Sequence, residues 1–359
     1  MTDFKLLLSH FGISVSSDDD VIPYGDGHIN DTYITNTEPK YILQKINTNI
    51  FKDAARLMKN VELVTEHLTK KILQNGGNPE VETLNIIKTT DGQPYYEYEG
   101  NCYRVYRFIN GISYNLPETN DQLFEAGKAF GKFQNELADF DASALYESIP
   151  DFHNTRKRFN NLKASIEANK SGRASSVKSE IEFALSYEKY VDTIINGIAD
   201  KTIPLRVTHN DTKLNNILFD PKTKKCLSVI DLDTVMPGSM LYDYGDALRF
   251  GASSAKEDET DLDTVYCCLD KFEAFTKGFL GELKNSATEK EIELLPLSVL
   301  LMTYECGIRF LSDYIDGDVY FKIHYPNHNL DRARNQFKLV ADIESKLDEM
   351  SNIVKNVLA

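Results

Sequence analysis

The 359-residue chain carries 40 Lys and Arg against 55 Asp and Glu, a formal net charge of -15 at pH 7, with 42% apolar and 26% charged residues. This composition can bury a substantial core and argues against disorder, and the length suits two lobes around a cleft better than one compact core. The acidic balance opposes adhesion to nucleic-acid phosphates or to an anionic membrane, since either needs a concentrated field of Lys and Arg.

The first residues, Met1 to Leu8, form only a brief apolar run before the acidic Asp18-Asp19-Asp20, short of a signal peptide. A short helix is predicted over Phe4 to Phe11. Strands follow at Thr32 to Thr35 and Tyr41 to Gln44, joined as a hairpin through Asn36-Thr37-Glu38-Pro39. Leu57, Val61, Val64 and Leu68 recur at helical spacing, and Asn75-Gly76-Gly77-Asn78-Pro79 ends that helix. Thr83 to Lys88 and the aromatic-rich Pro94 to Ile109 read as further strands of the same sheet. Beyond Gly111 helices dominate: Leu123, Ala126, Ala129, Phe130 and Phe133 share one face, and Thr155 to Ile198 reads as a helical pair. The basic run Arg156-Lys157-Arg158 within it is expected as a solvated helix face. Strand signal returns at Arg206 to Thr208, Ile217 to Phe219 and Leu227 to Ile230, after which the pattern is helical to the end. Leu294 to Met302, the longest strongly apolar stretch, contains Pro296 and is shorter than the roughly 18 residues of a membrane span.

A strand-rich part followed by a helix-rich part is α+β, and the expected division is 1–109 and 110–359. Cys102, Cys226, Cys267, Cys268 and Cys306 show no C-x-x-C spacing and fit reduced thiols, hence a cytoplasmic location. His324 and His328 are four apart, but Pro326 and Asn327 between them favour a loop over a helical zinc site.

The chemistry concentrates in Val207-Thr208-His209-Asn210-Asp211-Thr212-Lys213-Leu214-Asn215-Asn216-Ile217-Leu218-Phe219 and, after a lysine-rich turn, Leu227-Ser228-Val229-Ile230-Asp231. Phosphoryl transfer needs a carboxylate at the attacking hydroxyl, and a carboxamide oxygen with a second carboxylate to hold magnesium against the phosphates. Asp211 and Asn216, five apart, suit two ends of one loop, and the returning strand brings Asp231 back beside Asn216. The pattern H-x-D-x-x-x-x-N, with an apolar run ending in Asp about fifteen residues later, matches a kinase catalytic loop and its metal-binding carboxylate. Asp211 is the expected base; Asn216 and Asp231 are the expected metal ligands. Asp233 shares a side of the chain with Asp231, and a supporting or capping role is at least as good a reading as ligation.

These segments resemble the aminoglycoside phosphotransferase and choline kinase superfamily, with its protein-kinase-like fold. Gly25-Asp26-Gly27-His28-Ile29-Asn30-Asp31-Thr32-Tyr33, Tyr41 to Asn49, Val229 to Gly251, Arg309 to Tyr314 and Gly317 to Phe321 are similar to the N-acetylhexosamine 1-kinases within it. The resemblance implies transfer of phosphate from ATP to the anomeric hydroxyl of N-acetylglucosamine or N-acetylgalactosamine. It implies that His28 and Arg309 hydrogen-bond the sugar, that Tyr320 closes its far side, and that Phe250 covers an apolar face. The expected ligands are thus ATP, Mg2+ and a small sugar, with neither nucleic acid nor membrane.

At the nucleotide end, Gly25 and Gly27 offer a phosphate-covering turn, though Asn30 stands where a third glycine of G-x-G-x-x-G belongs. The kinase lysine position falls on Gln44, with Lys45 one place beyond; because successive strand residues face opposite sides, Lys45 replaces it only across a bulge. Either Gln44 makes a neutral contact or a basic residue comes from elsewhere, and Lys45 is carried forward as the candidate. Tyr106-Arg107-Phe108-Ile109 is the expected hinge for adenine, through its backbone. Glu62 and Glu66 read best as a solvated helix face, and Asp243 and Asp246 as organisers of the loop after the metal site. Two other readings stand beside the hexosamine one: a kinase of choline, homoserine or an aminoglycoside, and a catalytically silent sensor.

Overall fold

The computed structural model describes residues 2–25, 29–283 and 285–359. In chain order the elements are α1 (Phe4–Ser9), β1 (Val21–Pro23), β2 (Asp31–Thr35), β3 (Tyr41–Ile46), α2 (Ala54–Gln74), α3 (Pro79–Glu82), β4 (Ile86–Ile87), β5 (Tyr96–Tyr98) and β6 (Asn101–Arg107). Helices α4 (Asn120–Glu136), α5 (Thr155–Ala168), α6 (Lys178–Ser186) and α7 (Thr193–Ala199) follow, then strands β7 (Arg206–Thr208), β8 (Ile217–Phe219), β9 (Cys226–Val229) and β10 (Met236–Gly238). The chain finishes with α8 (Met240–Gly251), α9 (Leu269–Leu283), α10 (Glu289–Asp316), α11 (His328–Ser345) and α12 (Leu347–Leu358). The α+β class read from the pattern is the class observed. Two compact units result: residues 1–113, 139–150 and 216–237 form the first, and 114–138, 151–215 and 238–359 the second.

The first unit is an antiparallel sheet in the order β1-β2-β3-β6-β4, with β5 also on β6. The predicted hairpin pairs Thr32 with Gln44 and Ile34 with Ile42. Alternation along β3 and β6 then sorts the side chains by face. Leu43, Tyr103 and Val105 pack with Leu7, Leu8 and Phe11 of the N-terminal segment, whereas Ile46 and Cys102 pack with Phe51, Ala54, Leu57 and Met58 at the start of α2. Helix α2 starts where the Asp53 carboxylate accepts from the Arg56 N–H, and it buries Leu57, Val61, Val64 and Leu68 as their spacing predicts. Asn60 also turns inward: its amide donates to the carbonyls of Tyr146 (2.6 Å) and Val235 (3.1 Å) and its oxygen accepts from the Tyr146 N–H (2.8 Å). One side chain thereby joins the two later segments of this unit to its helix.

The second unit is helical. Helices α4 and α9 approach closely because glycines lie between them: a Cβ on Gly127 would fall 2.1 Å from the Phe275 carbonyl, and one on Gly278 would fall 2.0 Å from the Phe124 carbonyl. Helix α10 is the central element. It is long and apolar enough to cross a membrane by composition, yet 83% of its most apolar window is buried within the protein, which marks it as a core helix. It opens on a capping box between Thr288 and Glu291, passes through Pro296, and closes at Gly317 in the left-handed region.

Three expectations need correction. Thr155 to Ile198 is not a helical pair but three α-helices, because Asn169 at φ +39 ends α5 and a one-turn segment at Glu188–Tyr190 separates α6 from α7. The strand expected over Thr83 to Lys88 shrinks to Ile86–Ile87, since the Asn85 amide instead closes a turn onto the Pro79 and Thr83 carbonyls. The chain beyond Ile230 also contains the short strand β10 before its helices.

The glycine contact gives a direct test. Gly278→Ala is expected to destabilise by about 1–3 kcal/mol through overpacking, whereas Gly281→Ala, where a Cβ meets nothing within 4 Å, should be neutral or stabilise by up to about 1 kcal/mol. Urea midpoints at constant m-value distinguish the two.

Candidate active site

Asp211 belongs to the second unit, on the segment between β7 and Asn215. That segment is held from below by Asp243 on α8, a fully buried carboxylate. Asp243 accepts from the backbone N–H of His209 (2.8 Å) and Asn210 (2.7 Å) and from the Gln134 amide (2.7 Å), while its carbonyl accepts from the Thr212 hydroxyl (2.7 Å). Burial pushes the Asp243 carboxyl above its usual range, with His209, those N–H groups and Gln134 pulling the other way. His209 is buried edge-on between Phe130 and Phe133 of α4, its Nδ1 accepting from the Asp211 N–H at 3.3 Å. Asn210 adopts φ +65, a conformation that ordinarily favours glycine. Asp243 was expected to organise the loop after the metal site; it instead fixes the segment that precedes Asp211.

The Asp211 carboxylate meets Lys213 Nζ at 2.7 Å. Burial works against the Lys213 charge, but Asp211 and Asp246 outweigh it and raise its pKa. Asp246 lies on α8 and bonds Arg249 at 3.0 Å; despite burial, Arg249, His153 and Lys213 hold its carboxyl below the usual range. A charged chain thus runs from Asp211 through Lys213 to Asp246.

Asn216 and Asp231 belong to the first unit, together with the β8–β9 hairpin that separates them in sequence. Ile217 pairs with Val229, and the Ile230 N–H donates to the Asn216 carbonyl at 2.9 Å, so the hairpin brings the two residues to one end as the spacing predicts. Asp231 sits at φ +59 with an exposed side chain. Asp233 faces inward. Its carboxylate is bonded by Arg104 and by the Asn30 amide (2.7 Å), and its carbonyl accepts from the Ser148 hydroxyl (3.2 Å). That is a supporting role. The hairpin end carries a carboxamide and a carboxylate, hard oxygen ligands of the kind that hold magnesium along with substrate phosphates.

The Gln44 puzzle resolves on the neighbouring strand. Gln44 pairs with Arg104, whose Nε and second guanidinium nitrogen donate to Gln44 Oε1 at 3.0 and 2.9 Å. Burial opposes the Arg104 charge, yet the nearby Asp233 carboxylate more than compensates and its pKa rises. Lys45 pairs with Tyr103 and shares the Leu43 face, opposite Gln44 and Arg104, so the first unit does not bring Lys45 to Asp233. Asn30, in the missing glycine's place, is a buried tether, accepting from the Asn47 N–H at 2.9 Å besides holding Asp233. Gly25 is exposed at φ +75; Gly27 and His28 lie outside the described residues. In the expected hinge, the Arg107 and Phe108 N–H groups donate to the carbonyls of Asn85 (2.9 Å) and Lys40 (3.1 Å), and the Phe108 ring meets Tyr24 edge-on. Two of the backbone donors expected for adenine are therefore used internally. Glu62 is not simply solvated: Lys88 reaches it at 2.6 Å and Lys59 at 3.0 Å.

Among the acceptor candidates, Arg309 stacks over Phe321, and Tyr320 meets the same ring edge-on at 4.7 Å. Tyr320 is 74% exposed, while its backbone is fixed because the buried Asp313 carboxylate accepts the N–H groups of Val319, Tyr320 and Phe321. Phe250 lies elsewhere in this unit, lining an apolar recess with Leu123, Phe130, Thr212, Leu214 and Phe275. Sequence reasoning passed over His153 and Glu305 and read Arg158 as part of a solvated face. His153 Nδ1 contacts Glu305 at 3.0 Å, and Arg158 is half-buried, donating to the Phe152 carbonyl at 2.9 Å rather than facing water with Lys157. The one legible signal was Glu305 itself, a carboxylate on the apolar stripe of α10.

Residues 20–266 match the phosphotransferase enzyme family. An aminoglycoside phosphotransferase from Alicyclobacillus acidocaldarius is similar to the chain at 12% identity, over 98% of this chain and 96% of that one, with a TM-score of 0.60. A spectinomycin phosphotransferase in complex with ADP and spectinomycin aligns at 15% identity over 97% and 99%, TM-score 0.53. A choline kinase from Cryptosporidium parvum aligns at 16% identity over 95% and 92%, TM-score 0.55. These likenesses carry the shared kinase-like α+β fold.

Removing Arg104 strands a buried carboxylate. Arg104→Ala should destabilise by about 3–5 kcal/mol, while Arg104→Ala combined with Asp233→Ala should cost clearly less than the sum of the single changes, a coupling readable by a double-mutant cycle in urea.

Proposed function

The chain belongs to the phosphotransferase enzyme family, and from that premise we propose that it transfers the γ-phosphate of ATP to the anomeric hydroxyl of an N-acetylhexosamine. The observation that carries the choice of acceptor is the pair Arg158 and Arg309 in the unit that holds Asp211. Burial, and then the charge of Arg309, lower the pKa of Arg158, so the two guanidinium groups feel one another. Glu305 and Asp151 act on Arg158 the other way, and a guanidinium pair beside the acceptor disfavours choline or a polycationic aminoglycoside. It suits a neutral, hydroxyl-rich molecule, to which arginine offers fixed donors and Tyr320 an aromatic flank. The motif-level resemblance around Phe250, Arg309 and Tyr320 supports the same reading.

In this mechanism Asp211 orients the C1 hydroxyl and accepts its proton as the bond to phosphorus forms. Lys213, 2.7 Å away, holds the carboxylate in place, and Asp243 fixes the backbone before it and the Thr212 hydroxyl after it. Asn216 and Asp231 are the residues that would hold magnesium, which when bound neutralises phosphate charge. The remainder of the acceleration is alignment of the reacting groups.

Asp211→Asn should lower kcat by roughly 10²–10⁴-fold with ATP affinity nearly unchanged, by coupled ADP release and by nucleotide titration. Asn216→Ala and Asp231→Ala should raise the magnesium concentration needed for half-maximal rate, and a chelator should stop turnover. Phosphorus NMR of the product is expected to place phosphate at C1; phosphate at C6, or turnover with choline and no N-acetylhexosamine, would sink the acceptor assignment.

A further inference from the structure

Glu305 lies on α10 and is almost fully buried, where an isolated carboxylate would be costly. It is satisfied by two residues at the entry to α5: His153 Nδ1 at 3.0 Å from Oε1, and the Thr155 hydroxyl, which donates to Oε2 at 2.9 Å. Burial works against the Glu305 charge, but the hydrogen bond from His153 and the charges of Arg309 and Arg158 outweigh it and hold the carboxyl below its usual range. A carboxylate against Nδ1 fixes the imidazole with its proton on that nitrogen and its lone pair on Nε2.

That Nε2 is itself buried and has no hydrogen-bond partner among the described residues, on a side chain only 9% exposed. The Nε of Arg158, one turn further along, is likewise buried without a partner. A lone acceptor and a lone donor, each costly to leave unsatisfied, therefore stand on the same short stretch of chain. The His153 ring lies 5.2 Å from that of Tyr242 on α8, the helix that also carries Asp243 and Asp246.

We propose that His153, oriented by Glu305, is an acceptor-binding residue: its Nε2 receives a hydrogen bond from an O–H or N–H of the molecule to be phosphorylated, and Arg158 Nε donates to an oxygen of the same molecule. The acceptor class is a neutral polyol with at least one such donor besides the reacting hydroxyl. The assignment rests on the reading of this unit as the acceptor side, but not on which sugar is preferred.

Asparagine and glutamine separate a binding role from a structural one. Asparagine places an amide N–H near the Nδ1 position and keeps the bond to Glu305, whereas glutamine places its carbonyl near Nε2 and gives that bond up. His153→Asn should melt close to the wild type, raise KM for N-acetylglucosamine at least about tenfold, and leave KM for ATP within about threefold. His153→Gln should melt lower yet recover most of the acceptor KM. In the wild-type protein, saturating N-acetylglucosamine should shift one imidazole Nε2 signal in nitrogen NMR, the signal that is missing from His153→Asn. A folded His153→Asn enzyme with unchanged acceptor KM, or a wild-type Nε2 signal that ignores the sugar, would overturn the inference. If the wild type uses a different neutral polyol, the same variants are measured with that polyol, so the hexosamine reading can fail while this one holds. Turnover of cationic alcohols alone would overturn both.

Discussion

The contact between Arg104 and Asp233 orders more of the first unit than any other pair of side chains described. Asp233 draws in Arg104 from the middle of the sheet, Asn30 from the approach to β2 and Ser148 from the segment 139–150. Arg104 in turn fixes Gln44, and its guanidinium lies over the Tyr106 ring. Burying such a pair yields little net stability, since desolvation cancels much of the attraction. Its value is in register. A one-residue slip of the segment after β9 would place Leu232 or Thr234 against the guanidinium. With Asp233 fixed, Asp231 two residues earlier is held at the end of the hairpin beside Asn216.

The second unit uses a carboxylate in a similar way. Asp243 binds backbone N–H groups instead of a guanidinium, and it can do so because Asn210 adopts a left-handed conformation that turns successive amides the same way. Asp231 adopts the left-handed region too. A non-glycine residue there costs of order 1 kcal/mol. At Asn210 the buried Asp243 carboxylate accepts the N–H that this conformation presents; Asp231 is followed two residues on by the buried Asp233, itself fixed by Arg104 and Asn30. Strain therefore sits next to the residues assigned to proton transfer and to metal binding.

Much of this was legible in the sequence. The hairpin, α2, α4 and the β8–β9 return follow from periodicity and turn chemistry, and the spacing of Asn216 and Asp231 correctly implied that a hairpin brings them together. What failed was anything decided by partners distant in sequence. Gln44 looked like a missing lysine because Arg104 is its neighbour only across the sheet, sixty residues away. Arg158 looked solvated because its run also contains Arg156 and Lys157, which do face carboxylates near the surface. Asp243 was assigned to the wrong loop because nothing local shows which backbone a buried carboxylate will clamp. Asn30 was read as a defective glycine motif when it is a tether.

The resulting distribution of charge bears on how the proposed reaction divides between the units. In the first, Arg104 and Asp233 cancel, and Asp231 adds a carboxylate at the hairpin end. A carboxylate there repels a nucleotide triphosphate unless a divalent cation comes with it, which is why the proposed reaction calls for a metal. In the second, Lys213 faces Asp211 and Asp246, Arg249 faces Asp246 and Glu257, and Arg158 and Arg309 stand around Glu305, so charge is paired locally in a chain whose total is -15. Screening confines these fields to about a Debye length, roughly 8 Å at physiological salt, so the acceptor responds to the arginines and not to the acidic whole. A neutral polyol escapes the repulsion that a cation meets at this surface, and it brings the hydroxyl groups that the unpartnered nitrogens of His153 and Arg158 lack.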